Sequence, residues 1–308
     1  MIPRNILRIS AALAVATLSS AAIGGLAAPA LAGDWRADLD AWKQDRDARL
    51  RRPDGWLTLV GLAWLSAGEN TVGSAADAAV RLPADRSPEQ LGRILVDGER
   101  LRFDARKGAE VTVDGRPITS IELRTDRADE GPTVLRHGSL SLYVIERADR
   151  LAVRIKDAEA VALERFAGLE YYPVDARWRV PARFEPAPPG TTYSVPNVLG
   201  WVEEMNQPGW VEFEIDGTTH RLIALDDTGD GRLFLVFGDR TNGRETYGGG
   251  RFLYTDPPVD GATTIDFNRS YNPPCVFTPY ATCPLPPPGN KLPLRIEAGE
   301  KKYAAAVH

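Results

Sequence analysis

Along this chain the apolar positions change rhythm twice. From 9 to 31 they run almost without a break behind Arg4 and Arg8, and they close on Ala30-Leu31-Ala32. A basic start, an apolar middle and a small-x-small end are what signal peptidase reads, so the sequence predicts a leader over 1–32, cut after Ala32. Ser19, Ser20, Gly24, Gly25 and Pro29 interrupt the run and no basic cluster follows it, which argues against a membrane anchor. No cysteine stands at the cut, and no later stretch is long and apolar enough to span a bilayer. The mature chain is therefore expected in the periplasm or outside the cell, with no stable membrane insertion.

Between 35 and 51 the spacing turns helical. Trp35, Leu39, Trp42 and Leu50 form a narrow apolar stripe among charges, with Asp34 placed as an N-cap. Pro53-Asp54-Gly55 breaks this helix, assigned to 33–55, and beyond it the apolar residues come in short alternating runs punctuated by Gly, Asp, Pro and Asn. Candidate strands lie at 57–64, 70–72, 79–82, 92–96, 100–103, 110–113, 118–123, 133–137, 140–146 and 151–155. The Asp-Gly pairs at Asp97-Gly98 and Asp114-Gly115 are hairpin signals because both residue types tolerate positive φ. A stretch at 165–189, where aromatics interleave with prolines, reads as a linker or as the entry segment of the next lobe. Strands resume at 191–195, 201–204, 209–215, 218–224, 233–237 and 262–266. The expected fold is mainly β: an N-terminal helix followed by two antiparallel β-rich lobes, sandwich or barrel-like, at 56–158 and 159–308.

Charge and length narrow the function. Removing Arg4 and Arg8 with the leader moves the formal net charge from −5 to −7, which disfavours nucleic acid as a partner. Only Cys275 and Cys283 occur. In an oxidising compartment a disulfide between them is expected, contributing about 2–3 kcal/mol, and the competing reading is a reactive or metal-binding thiol. Metal chemistry has little to build on. His137, His220 and His308 are scattered, and Asp226-Asp227-Thr228-Gly229-Asp230-Gly231 is similar to a calcium loop but carries Phe237 where the twelfth-position carboxylate belongs, so a hairpin turn is expected. No Gly-x-Ser-x-Gly elbow is present, and no cofactor is implied.

Two resemblances add to this. Asn70-Thr71-Val72-Gly73-Ser74, the run from Gly108 to Ile118 around Asp114-Gly115, and Val134-Leu135-Arg136-His137-Gly138-Ser139-Leu140 are similar in order and spacing to a forkhead-associated domain, a sandwich that binds phosphothreonine peptides. The family's phosphate-binding arginine is here Ser74, its serine and histidine are not recognisable around Ser87, and its asparagine is Asp114. The resemblance therefore implies the sandwich and not the phosphate affinity. Gly55-Trp56-Leu57-Thr58-Leu59-Val60-Gly61-Leu62, together with the blocks at 237–254, 265–275, 281–290 and 298–303, resembles the bacterial and archaeal family catalogued as domain of unknown function 1684, over nearly all of the mature chain. That kinship implies no activity.

The polar residues of those blocks are the candidate site. Asp239, Thr241, Asn242, Arg244 and Glu245 follow an apolar strand, and Gly248-Gly249-Gly250 leads to Arg251, whose strand places Arg251 and Leu253 on one face and Phe252 and Tyr254 on the other. If the strand ending at Asp266 continued, Asp266, Asn268 and Ser270 would share one face and Phe267, Arg269 and Tyr271 the other. A C-terminal polar cleft built from 239–251, 266–275 and 290–300 follows. Its first reading is a binding site for a small polar or anionic ligand through Arg251, Asn268, Tyr271, Asn272, Asp239 and Asn242, since guanidinium and amide groups suit such recognition. An enzyme using Asp266 or Glu300 as acid or base beside Arg251 is the second, and a structural envelope protein the third.

Overall fold

The computed structural model describes residues 32–147 and 149–304, so the predicted leader lies outside the described residues. Helix α1 spans Ala32–Leu50, which puts Asp34 in the first turn rather than ahead of it. Its buried stripe is Trp35, Leu39, Arg46 and Leu50. Arg46 holds the position that the apolar spacing leaves open, four residues before Leu50, while Trp42 is half-buried.

The first lobe is a sandwich. One sheet runs in the order Leu59–Trp64, Arg150–Asp157, Leu140–Arg147, Leu135–His137, Thr112–Val113 and Arg116–Pro117. The other runs Val80–Arg81, Gly68–Gly73, Gly92–Asp97, Arg100–Ala105 and Ser120–Glu122. Between them lies a core that includes Val72, Ile94, Phe103, Leu142, Val153 and Ile155. The expected Asp-Gly turn forms at Asp114 and Gly115, with φ of 51° and 74°, because it joins Val113 to its cross-strand partner Arg116 in a two-residue hairpin.

The second lobe is a sheet in the order Arg251–Thr255, Leu233–Phe237, Thr218–Asp226, Val202–Ile215, Arg179–Pro186 and Ala262–Asp266, with Thr192–Pro196 paired to the far end of Val202–Ile215. Two expectations are corrected here. The stretch 165–189 is no mere linker, since Arg179–Pro186 is an interior strand of this sheet. The candidates at 201–204 and 209–215 are one strand of 14 residues whose register shifts between Asn206 and Gly209, an irregularity that accommodates Pro208. The sheet is covered on both faces. Leu235, Phe237, Leu253, Val211, Phe213 and Phe267 form one core, and Leu225, Phe234, Val236 and Phe252 belong to another, so Leu233–Phe237 is buried at every position. No helix among the described residues is long and apolar enough to cross a membrane.

Candidate functional site

Strand alternation decides where the predicted site residues go. Arg251 and Leu253 do share a face, as expected, but it is the face turned into the Leu235–Phe237 core. Arg251 is fully buried: Nη2 donates to Ile296 O at 2.9 Å and stands 3.5 Å from Asp239 Oδ1, Nη1 donates to Ala298 O, and the guanidinium lies 5.3 Å from the Phe237 ring centre. Burial pushes its pKa below the usual arginine value, against the opposing pull of Asp239. Asp239 is itself enclosed, accepting from Ile296 N at 2.7 Å and Thr241 Oγ1 at 2.8 Å, and the Asn242 side chain ties Asp239 N to Tyr247 O. These groups form a knot that holds the 239–251 loop to the 296–298 segment.

A second knot joins α1 to the chain near residue 300. The strand does not continue past Asp266; a 3₁₀ turn, Phe267–Arg269, begins there with Asp266 Oδ1 accepting from Asn268 N, which removes the expected alternation. Asp266 Oδ2 accepts from Trp35 Nε1 at 2.6 Å, and Asn268 pairs through both side-chain atoms with the backbone of Asp175. Glu300 is fully buried, accepting from Arg46 Nε at 2.9 Å and Asn272 N at 2.8 Å. Burial works against the Arg46 charge, but Glu300 outweighs it and the net shift is upward. Asn272 Nδ2 donates to Lys301 O at 2.8 Å. Neither Asp266 nor Glu300 forms a salt bridge with Arg251: Glu300 pairs with Arg46 and Asp266 accepts from Trp35. Asn290, fully buried, fastens Ile223 and Val236 together in the same structural manner.

Cys275 and Cys283 are free, buried thiols rather than the expected disulfide, with Cys275 N donating to Cys283 Sγ at 3.2 Å. The Cys283 hydrogen bond holds the Cys275 thiol below its usual pKa, and burial pushes Cys283 well up. The run 226–231 forms the expected turn, in which Asp226 Oδ1 accepts from Thr228 N and Gly229 N.

The space a ligand could enter lies elsewhere, in a cleft of about 940 Å³ between α1, the first lobe and the aromatic face of the second. Of the predicted site residues only Tyr271 lines it, although Cys283 also reaches its wall. The opposite parity to Arg251 places Phe252 and Tyr254 there, beside Phe234, with Tyr271 packed edge-on to Phe252 at 5.8 Å and Trp42 6.4 Å from Tyr271.

Arginines ring the remaining wall. Arg46 pairs with Glu300, Arg49 with Asp45, Arg127 with Glu203, Arg147 with Asp126 and Arg232 with Asp230, while Arg269 stands 3.8 Å from Asp266. Arg154 differs. On Arg150–Asp157 it faces away from the Val153 and Ile155 core, it is 7 % exposed, its guanidinium lies 5.0 Å from the Trp56 ring centre, and among the described residues it has no salt bridge; its buried Nε lacks a hydrogen-bond partner, as do those of Arg251 and Arg269. Sequence reasoning missed it, and the available signal was a lone arginine inside the apolar run 151–155.

Comparison with known proteins places the second lobe but assigns it no chemistry. Residues 164–301 match the model of a family described as protein of unknown function (DUF1684). The match is narrower than the near-complete coverage expected, and the block at 55–62 lies outside it. The solution structure of an uncharacterized protein from Haloarcula marismortui is 31 % identical, with 46 % of this chain and 80 % of that one covered and a TM-score of 0.39. An FHA domain from a structural and functional study of phosphothreonine-dependent FHA interactions is 21 % identical, covering 31 % of this chain and 92 % of its own, with a TM-score of 0.22. The FhaA FHA domain, solved in complex with the intracellular domain of Rv3910, is 21 % identical and covers 30 % and 96 %, also with a TM-score of 0.22. The forkhead-associated likeness is thus distant and partial. No curated protein matches the chain.

Proposed function

We propose that this is an exported binding protein that holds a small anionic ligand in the cleft between the lobes, with Arg154 as the principal anchor. The reading keeps the ligand class expected from the sequence and moves the site from the buried Arg251 knot to the first-lobe wall of the cleft. What supports it is Arg154 itself. A cation removed from water is retained at a cost of several kcal/mol unless an anion or hydrogen-bond acceptors compensate, and here the open volume beside it is where such a partner would sit.

The test is calorimetric titration of the mature protein with a panel of small carboxylates and phosphates, repeated on Arg154→Gln. Saturable binding that the variant loses by about tenfold or more is the expected result. Equal binding by both proteins would place the ligand elsewhere and overturn the proposal.

A further inference from the structure

Resting on that reading, we infer that the ligand is an amphipathic monoanion, a single carboxylate joined to an aromatic or extended apolar body, rather than a compact or multiply charged anion.

Charge sets the first half of this. Every cleft arginine but Arg154 has a carboxylate within 4 Å, so among the described residues Arg154 is the cleft cation without an acidic partner. On the second-lobe rim, Glu204, Asp226, Asp227 and Asp256 line the same space and none forms a salt bridge among the described residues. A second negative group on the ligand would meet those carboxylates. A single one, drawn to Arg154, would not.

Surface chemistry sets the second half. Rings line the same space as the cation and the acidic rim. Phe234 stacks on Tyr254 at 4.9 Å and 22°, Tyr254 lies parallel to Tyr271 at 6.5 Å and 14°, and Trp42 continues the series from α1. Burial raises the Tyr254 and Tyr271 hydroxyls above the usual phenol range, so both rings stay neutral, and the Tyr254 hydroxyl donates to Asp227 Oδ2 at 2.6 Å. An inorganic ion would use none of this wall. An aromatic or long apolar body would lie against it and exclude water from the Arg154 contact, strengthening the ion pair as it did so.

The experiment uses the intrinsic fluorescence of the mature protein, since Trp42 and Trp56 both line the cleft. Four probes are titrated: 4-phenylbutyrate, acetate, phenyl phosphate and 4-phenylbutanol. Phenylbutyrate is expected to bind at least about tenfold more tightly than each of the others, and Tyr254→Leu to weaken it by about fivefold or more. If acetate or phenyl phosphate binds within tenfold of phenylbutyrate and Arg154→Gln abolishes that binding, the anion site stands and the monoanion inference falls. If phenylbutanol binds as well as phenylbutyrate, or no anion binds at all, both readings fall. Circular dichroism melts of each variant separate lost binding from lost folding, and the comparison among probes on the unaltered protein needs no variant.

Discussion

Arg251 and Arg154 are both buried arginines on strands, one in each lobe, and they meet burial in different ways. Arg251 spends its two terminal nitrogens on Ile296 O, Ala298 O and Asp239, within a knot closed to solvent, and only its Nε is left without a partner. Arg154 faces a cleft with an aromatic ring on one side and no acidic partner. A buried charge paired with a carboxylate and backbone carbonyls is a structural element, whereas one beside open space with no carboxylate partner is the one with room for a ligand. The contrast overturns the ranking that residue type alone suggests, in which Arg251, set among glycines, asparagines and aspartates, looks the more functional.

The sharpest way to break the comparison is to remove each side chain in turn. Arg251→Met should cost about 3–5 kcal/mol in urea unfolding, because Asp239 would remain buried with its cationic partner gone. Glu300→Gln should follow at about 2–3 kcal/mol by the same measurement, since the pair with Arg46 is nearly as enclosed. Arg154→Met should leave unfolding within about 1 kcal/mol of the parent, or raise stability, while abolishing anion binding. A loss near that of Arg251→Met would mean that Arg154 is satisfied within the fold, and the comparison would collapse.

The smallest effect expected concerns pH. Burial against the cleft wall raises the Asp227 carboxyl, despite the hydrogen bond from Tyr254 that lowers it. A carboxyl with a raised native pKa holds its proton more tightly in the folded than in the unfolded chain. Its contribution is therefore most favourable below about 3.9, the unfolded value, and declines as pH rises through the native value. Asp227→Asn should flatten that decline in melting temperature measured across acidic buffers. An unchanged slope would show that Asp227 does not sense the cleft.

Much of the architecture was legible in the chain. Period-two alternation and Asp-Gly turns marked most strands, and the Arg251–Thr255 alternation was read with the correct parity. Parity alone could not say which face met solvent, because Leu233–Phe237 is buried on both sides and the sheet has no outer face there. The strand Arg179–Pro186 stayed hidden because its Pro181 and Pro186 read as breaks, and neighbours more than twenty residues away in sequence supply its pairing. Glu300 and Asp266 looked like free carboxylates for the same reason. Their partners, Arg46 and Trp35, sit in the first helix, beyond the reach of local pattern. The cleft itself was illegible, since it is assembled from α1, two strands of the first lobe and the aromatic face of the second.

The tether between Arg46 and Glu300 spans 254 positions. α1 carries a weak apolar stripe of its own, so it has little reason to settle before the second lobe has taken shape. During synthesis the helix emerges before its docking partner, which lies 254 positions further on. Because α1 also forms one wall of the cleft, that wall should settle only after the segment around Glu300 is in place, and a chain cut short of it would leave the wall undocked.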